Sequence, residues 1–146
     1  MKRRFWYWIT DALGLLTLLG VIAFVLLRWS SLPDRLPAHF AANGEISAWA
    51  GKSSLTLLLV LAPIMFAGME VLSFFPQSWN VPRRTPRALQ ATADAMAALH
   101  FTLALFFAYL ILCTALCRGL GAWMLPVLLV LILGNLVYLL VNTFRG

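Results

Sequence analysis

Charged residues are scarce in this sequence, since Asp, Glu, Lys and Arg make up 11% of its 146 residues and only five residues are acidic. A soluble domain carries about 25% charged residues. The hydrophobic share is 62%, which is more apolar surface than a soluble domain of this length can bury. The composition therefore excludes soluble enzyme folds and disordered tails, and it indicates that lipid is the solvent.

Cysteines are also few, because the sequence contains only Cys113 and Cys117, both inside one apolar stretch. On a helix they lie one turn apart and point the same way, which favours packing thiols over a disulfide. Two ligands do not make a zinc site. We therefore predict neither a disulfide scaffold nor a metal site, and no cofactor.

The sequence also lacks nucleophile arrangements, glycine loops that bind phosphate and aromatic platforms that stack on bases. The question of an enzyme stays open, with nothing in favour of one. The net charge of +6 would suggest a nucleic-acid partner for a soluble protein, but the basic residues cluster at the ends of apolar segments. Such clusters are typical of membrane anchors, so we expect a lipid bilayer and no nucleic acid as partner.

Four apolar stretches of at least twenty residues are each long enough to cross about 30 Å of hydrocarbon. They predict an all-α membrane protein, a four-helix transmembrane bundle that forms one integral domain over residues 1–146. We expect residues 88–95 to form only an interfacial helical turn or two before the third span. The predicted spans are residues 5–27, 55–75, 96–117 and 122–142, and residues 28–54 form a loop cap between the first two.

The distribution of Lys and Arg predicts the orientation of the spans. Seven basic residues would be cytoplasmic and four external if the N-terminus lies inside, so we expect both termini in the cytoplasm and the cap outside a bacterial inner membrane. The predicted inside residues are Lys2, Arg3, Arg4, Arg83, Arg84, Arg87 and Arg145. The predicted outside residues are Arg28, Arg35, Lys52 and Arg118.

The cap contains an ordered motif in the segment LPDRLPAHFAANGEISAWAGKS, residues 32–53. This segment resembles the domain of unknown function shared by bacterial multi-pass membrane proteins of the Sdp-type toxin-immunity family. The resemblance covers residues 10–75 and implies a membrane protein of immunity or signalling type. Longer family members carry a later Arg-Thr-Pro-Trp segment, which this sequence lacks. The matching residues are Leu32, Pro33, Asp34, Leu36, Pro37, His39, Phe40, Asn43, Gly44, Trp49 and Lys52.

Backbone chemistry explains part of this motif. Pro33 and Pro37 discourage helix at the residues before them, and the Asn-Gly pair at 43–44 suits a turn with positive φ. Four roles are open for His39 at this point. It is a metal ligand, a pH sensor or a partner contact, or it forms a hydrogen bond within the cap to Glu45 or Asp34. The candidate residues for binding a partner or ligand are His39, Asn43, Glu45, Trp49 and Lys52.

A second set of polar residues lies within the predicted spans. Counting along antiparallel helices brings Asp11, Glu70, His100 and Tyr138 to a similar depth near the cytoplasmic face. Ionisable residues inside a membrane usually face the bundle interior and mark functional sites. The alternatives are a purely structural contact between Glu70 and His100, or a role linked to protons or a ligand.

The function predicted from these features is recognition of an extracytoplasmic peptide, such as a toxin, or of a partner membrane protein. One alternative is an accessory subunit of a transporter or a larger membrane complex. The second alternative is a membrane enzyme or ion-binding protein that uses His39 with Glu45, or Glu70 with His100. The sequence leaves the oligomeric state open.

Overall fold

The computed structural model describes residues 4–82 and 84–144, and four long helices account for most of them. All four are long and apolar enough to cross a membrane. The predicted all-α fold with four transmembrane helices is therefore confirmed. The helices are α1 (Phe5–Leu27), α2 (Ser53–Ser73), α3 (Pro86–Ala115) and α4 (Met124–Phe144).

Helix α3 begins ten residues earlier than the predicted span, and it includes residues 88–95 in one continuous helix of 30 residues. The hydroxyl of Thr85 caps its first turn by accepting a hydrogen bond of 3.2 Å from the amide of Ala88. Pro86 occupies the first helical position, where its missing N–H is harmless. At about 1.5 Å per residue the helix is about 45 Å long, so its first turns extend beyond the hydrocarbon.

The other end of α3 is closed by a left-handed residue, Cys117, with a φ of +53°. The amide of Arg118 donates to the carbonyl of Cys113 at 2.9 Å, and the amide of Cys117 donates to Thr114 at 3.2 Å. This is the Schellman pattern, which satisfies the last carbonyls of a helix and reverses the chain. It directs the chain into the short link that leads to α4.

The cap is more regular than the predicted loop, because it contains an antiparallel hairpin of β1 (Arg35–Phe40) and β2 (Ile46–Gly51). The side chain of Leu36 in β1 is fully buried, and β1 packs against the ends of α2 and α3. Pro37 does not prevent this strand, since a two-stranded sheet leaves each strand one edge on which no ladder hydrogen bond is needed. The cap therefore presents side chains from a defined backbone.

Helix α3 is the centre of the molecule and packs against each of the other three helices. Alanines line much of its buried surface, and small residues allow helix backbones to approach closely in a membrane. A Cβ atom placed on Gly14 of α1 would lie 3.1 Å from the Cβ of Ala104, which shows how close the two helices are. The main apolar core comprises Leu18, Val25, Leu36, Leu55, Ala62, Ala108, Ile111 and Ala115.

The two ends of the molecule differ in structure. The hairpin and the link between α3 and α4 share one end, where the amide of Leu120 donates to the carbonyl of Gly44 at 2.7 Å. The connection between α2 and α3 lies at the opposite end, together with Arg4. Which end faces the cytoplasm stays a prediction, and four basic residues used for it, Lys2, Arg3, Arg83 and Arg145, lie outside the described residues.

Candidate functional site

The turn of the hairpin is built by residues 41–45. The side-chain oxygen of Asn43 accepts a hydrogen bond of 3.1 Å from the amide of Glu45, and the amide of Gly44 donates to Ala41 at 2.8 Å. Gly44 has a φ of +79°, which a side chain would disfavour. Asn43 therefore contributes its side chain to the turn.

Lys52 is also engaged inside the cap. Its ammonium donates to the carbonyl of Leu32 at 3.3 Å and lies 5.2 Å from the centre of the Trp29 ring. Its amide donates to the carbonyl of Asp34 at 2.9 Å. These contacts join the start of α2 to the chain that leaves α1, so the structure places Lys52 as a brace of the cap.

The other three candidate residues of the cap, His39, Glu45 and Trp49, are exposed. Trp49 lies within β2, and 45% of its surface is still exposed. Within residues 4–82 and 84–144 the ring of His39 makes no hydrogen bond to Glu45 or Asp34, the internal partners considered for it. We name these three residues the hairpin surface, since each is exposed. The register pairs Trp49 with Pro37 and His39 with Ala48, so His39 and Trp49 lie on opposite faces of the hairpin.

The second candidate site lies between α1, α2 and α3. Nδ1 of His100 is 3.2 Å from a carboxylate oxygen of Asp11 and 3.6 Å from one of Glu70. The His100 side chain is only 5% exposed, and those of Asp11 and Glu70 are 11% and 24% exposed. We name these three residues the intramembrane trio. One imidazole nitrogen thus lies within reach of two carboxylates in a mostly buried position.

Apolar groups fix the orientation of the His100 ring. The ring of Phe66 lies 4.1 Å from it, centre to centre. Nε2 is buried and has no hydrogen-bond partner among the described residues. The close approach of Gly14 to Ala104 brings α1 against α3 one turn away from Asp11. The packing therefore turns Nδ1 toward the carboxylates and the other ring nitrogen toward apolar groups.

The structure places Tyr138 with a different carboxylate, that of Asp94, at 3.0 Å. Asp94 also accepts hydrogen bonds from Tyr7, from Gln90 at 3.2 Å and from Arg4 at 3.3 Å. Asp94 was absent from the residues singled out in the sequence, although it is the sole acidic residue in α3. A single acidic residue in a mostly apolar helix was the feature of the sequence that could have identified Asp94. Asp94 connects α1, α3 and α4 near the start of α3.

A small cavity of about 20 Å³ lies beside the intramembrane trio. Asp11 and His100 line it, together with Tyr7, Met69 and Met96. A space of this size holds about one water molecule. Asp11 and His100 are thus in contact with a space large enough for a water molecule, in a lining that is otherwise mostly apolar.

Comparison with known proteins gives one family match. A family described as "Domain of unknown function (DUF1648)" matches residues 15–65. Searches of curated proteins and of solved structures found no match. The matched segment contains most of α1, the hairpin and the first part of α2, whereas Asp11, Glu70 and His100 lie outside it. The chain is therefore a four-helix, membrane-type protein whose cap and flanking helices are similar to this domain.

Proposed function

We propose that this chain is an integral protein of the bacterial inner membrane, of immunity or signalling type. In this proposal the hairpin surface binds an extracytoplasmic peptide or a partner membrane protein. The observation that carries the proposal is the exposure of His39, Glu45 and Trp49 on a hairpin that is anchored at both its turn and its base. The likeness of the cap to the Sdp-type immunity family adds a peptide toxin as the first ligand to test.

Anchoring favours recognition for a thermodynamic reason. A flexible loop loses conformational entropy when it binds, whereas a backbone already held in one conformation loses less. The turn of this hairpin is held by Asn43 and by the contact between Gly44 and Leu120, and its base is held by Lys52. The side chains of the hairpin surface are therefore presented with little further ordering.

The chemistry of the hairpin surface suits a peptide at a membrane surface. Trp49 supplies a large amphipathic ring, a type of side chain that is enriched both in binding hot spots and at membrane interfaces. His39 and Glu45 add groups that form hydrogen bonds and, in the case of Glu45, a negative charge. A cationic or amphipathic peptide that contacts both faces of the hairpin would satisfy all three.

Protection of bacteria from an Sdp-type peptide toxin tests the proposal. We expect cells that express the wild-type chain to grow at toxin concentrations at least tenfold above those tolerated by cells without it. His39→Ala and Trp49→Ala should remove most of this protection while membrane level and melting temperature stay near those of the wild type. Lys52→Met is the structural comparison, because it should lower the melting temperature by removing the contact with Leu32.

Two results would contradict this function. The first is a wild-type chain that gives no protection although it reaches the membrane. The second is full protection by the double variant His39→Ala, Trp49→Ala. Purification of the chain with a stoichiometric second membrane subunit in mild detergent, together with the second result, would favour the accessory-subunit alternative.

A further inference from the structure

We propose that Asp11, Glu70 and His100 form a binding site for a divalent first-row transition-metal ion, with Zn²⁺ as the reference ion. The site is independent of the recognition function, because it lies within the helices and outside the segment that matches the DUF1648 family. Three different helices each supply one ligand. Binding would therefore also join α1, α2 and α3.

The distances fit such an ion. One ligand atom from each residue can be chosen so that all three lie within 4.8 Å of one another. The distances from Nδ1 of His100 to the carboxylate oxygens of Asp11 and Glu70 are 3.2 and 3.6 Å. Zinc bonds of about 2.0 to 2.2 Å in tetrahedral geometry separate neighbouring ligands by about 3.3 to 3.6 Å. The two distances from Nδ1 are close to this range, and side-chain rotation of the carboxylates, whose oxygens lie within 4.8 Å of each other, would complete the site.

The ligand types select the class of ion. Imidazole nitrogen suits zinc and its first-row neighbours, whereas calcium and magnesium prefer sites made only of oxygen. Two ionised carboxylates balance the charge of one divalent ion when the imidazole is neutral. A neutral complex is the least costly way to hold an ion at membrane depth, where isolated charges are strongly disfavoured.

The surroundings of His100 provide a second, independent observation. The His100 side chain is only 5% exposed, which makes it 95% buried. Phe66 lies against the ring, and Nε2 has no hydrogen-bond partner in the part of the chain that the structure describes. Nδ1 is therefore the ring nitrogen directed at the two carboxylates, as a metal ligand requires.

The adjacent cavity is large enough for a fourth ligand. It is lined by Asp11 and His100, and its volume of about 20 Å³ accommodates one water molecule. Zinc sites with three protein ligands and one water are a recurrent arrangement. In the proposed site the trio supplies three ligands, and a water molecule in the cavity beside Asp11 and His100 would be the fourth.

Metal titration of the purified chain tests the site. The full chain in mild detergent is stripped with a chelator and then titrated with Zn²⁺ while heat and bound metal are measured. We expect one equivalent per chain and a higher melting temperature in the presence of the ion. Asp11→Asn and His100→Ala should each weaken binding at least tenfold, and the rise in melting temperature should disappear.

The chain offers matched controls, since His39 is its other histidine and Glu45 is an exposed carboxylate. His39→Ala and Glu45→Gln should bind Zn²⁺ as the wild type does. If binding falls with these variants instead, the ion is held at the hairpin and the proposal is wrong. No zinc uptake by the folded wild type would equally overturn it.

X-ray absorption at the zinc edge of the His39→Ala chain, whose one histidine is His100, identifies the ligands even if a trio variant does not fold. We expect one imidazole and oxygen ligands at about 2.0 Å. Sulfur at about 2.3 Å would show that Cys113 and Cys117 bind the ion, and that result would overturn the assignment to the trio.

Discussion

The amide of Leu120, in the link between α3 and α4, donates a hydrogen bond of 2.7 Å to the carbonyl of Gly44 at the hairpin turn. The two residues are remote in sequence, so this bond closes the cap onto the second half of the chain. The approach is close because both segments contain glycine. A Cβ atom on Gly44 would lie 2.4 Å from the carbonyl oxygen of Gly121.

Gly44→Ala should therefore destabilise the protein strongly. The φ of +79° disfavours alanine by about 1 kcal/mol, and displacement of the link from the turn should bring the total loss in unfolding free energy to about 2 to 3 kcal/mol. Gly20→Ala is the control, because a Cβ there meets nothing within 4 Å. Equal melting temperatures for the two variants in detergent would show that the turn does not contact the link.

Tyr138→Phe tests the carboxylate of Asp94, which joins three helices. Loss of one hydrogen bond to a charged group should lower the unfolding free energy by about 1.5 kcal/mol, and Asp94→Ala should cost more because it leaves several donors without their acceptor. In the Asp94→Ala background, Tyr138→Phe should have almost no further effect. Additive losses in this double-mutant cycle would mean that the two side chains do not interact.

A second cycle measures the contacts of His100 in the presence of a chelator. Nδ1 of His100 is nearer to Asp11 than to Glu70, so the coupling energy of His100→Ala with Asp11→Asn should exceed that with Glu70→Gln. Coupling between groups in contact is about 0.5 to 3 kcal/mol. The reverse order, measured by unfolding in detergent, would contradict the geometry of the trio.

Thiol labelling of intact cells checks the orientation. In a chain with Cys113 and Cys117 replaced by alanine, cysteine at exposed Ala42 should react with an impermeant reagent, and cysteine at exposed Asn80 should react only after lysis. Labelling of position 80 with protection of position 42 would show that the topology is the reverse of the predicted one.

The four helices could be predicted from sequence because each contains an uninterrupted apolar stretch of membrane length. Helix α3 starts before the predicted span because alanine is only weakly apolar, so hydropathy fades before Met96 although helix propensity and the cap at Thr85 continue the helix to Pro86. The hairpin was missed for a different reason. Two prolines suggested irregular structure, whereas Pro37 lies on a strand that has a free edge.

Helix depth can be counted from a sequence, but the direction of a side chain around its helix is set by packing. Counting therefore suggested that Asp11, Glu70, His100 and Tyr138 share one level. Asp11, Glu70 and His100 come within reach of one another across three helices, while Tyr138 points to Asp94. Likewise, the exposure of His39 and the internal contacts of Lys52 depend on how the hairpin sits on the helices.

Helix α4 packs chiefly on α3, and most of its apolar surface faces outward. The backbone hydrogen bonds of its interior are made within the helix, so it can enter the bilayer before it has found a neighbour. The bond from Asn135 to the carbonyl of Ala95, at 2.8 Å, and that from Tyr138 to Asp94 then set its register. During synthesis α4 is made after α3, so the helix on which it packs leaves the ribosome first.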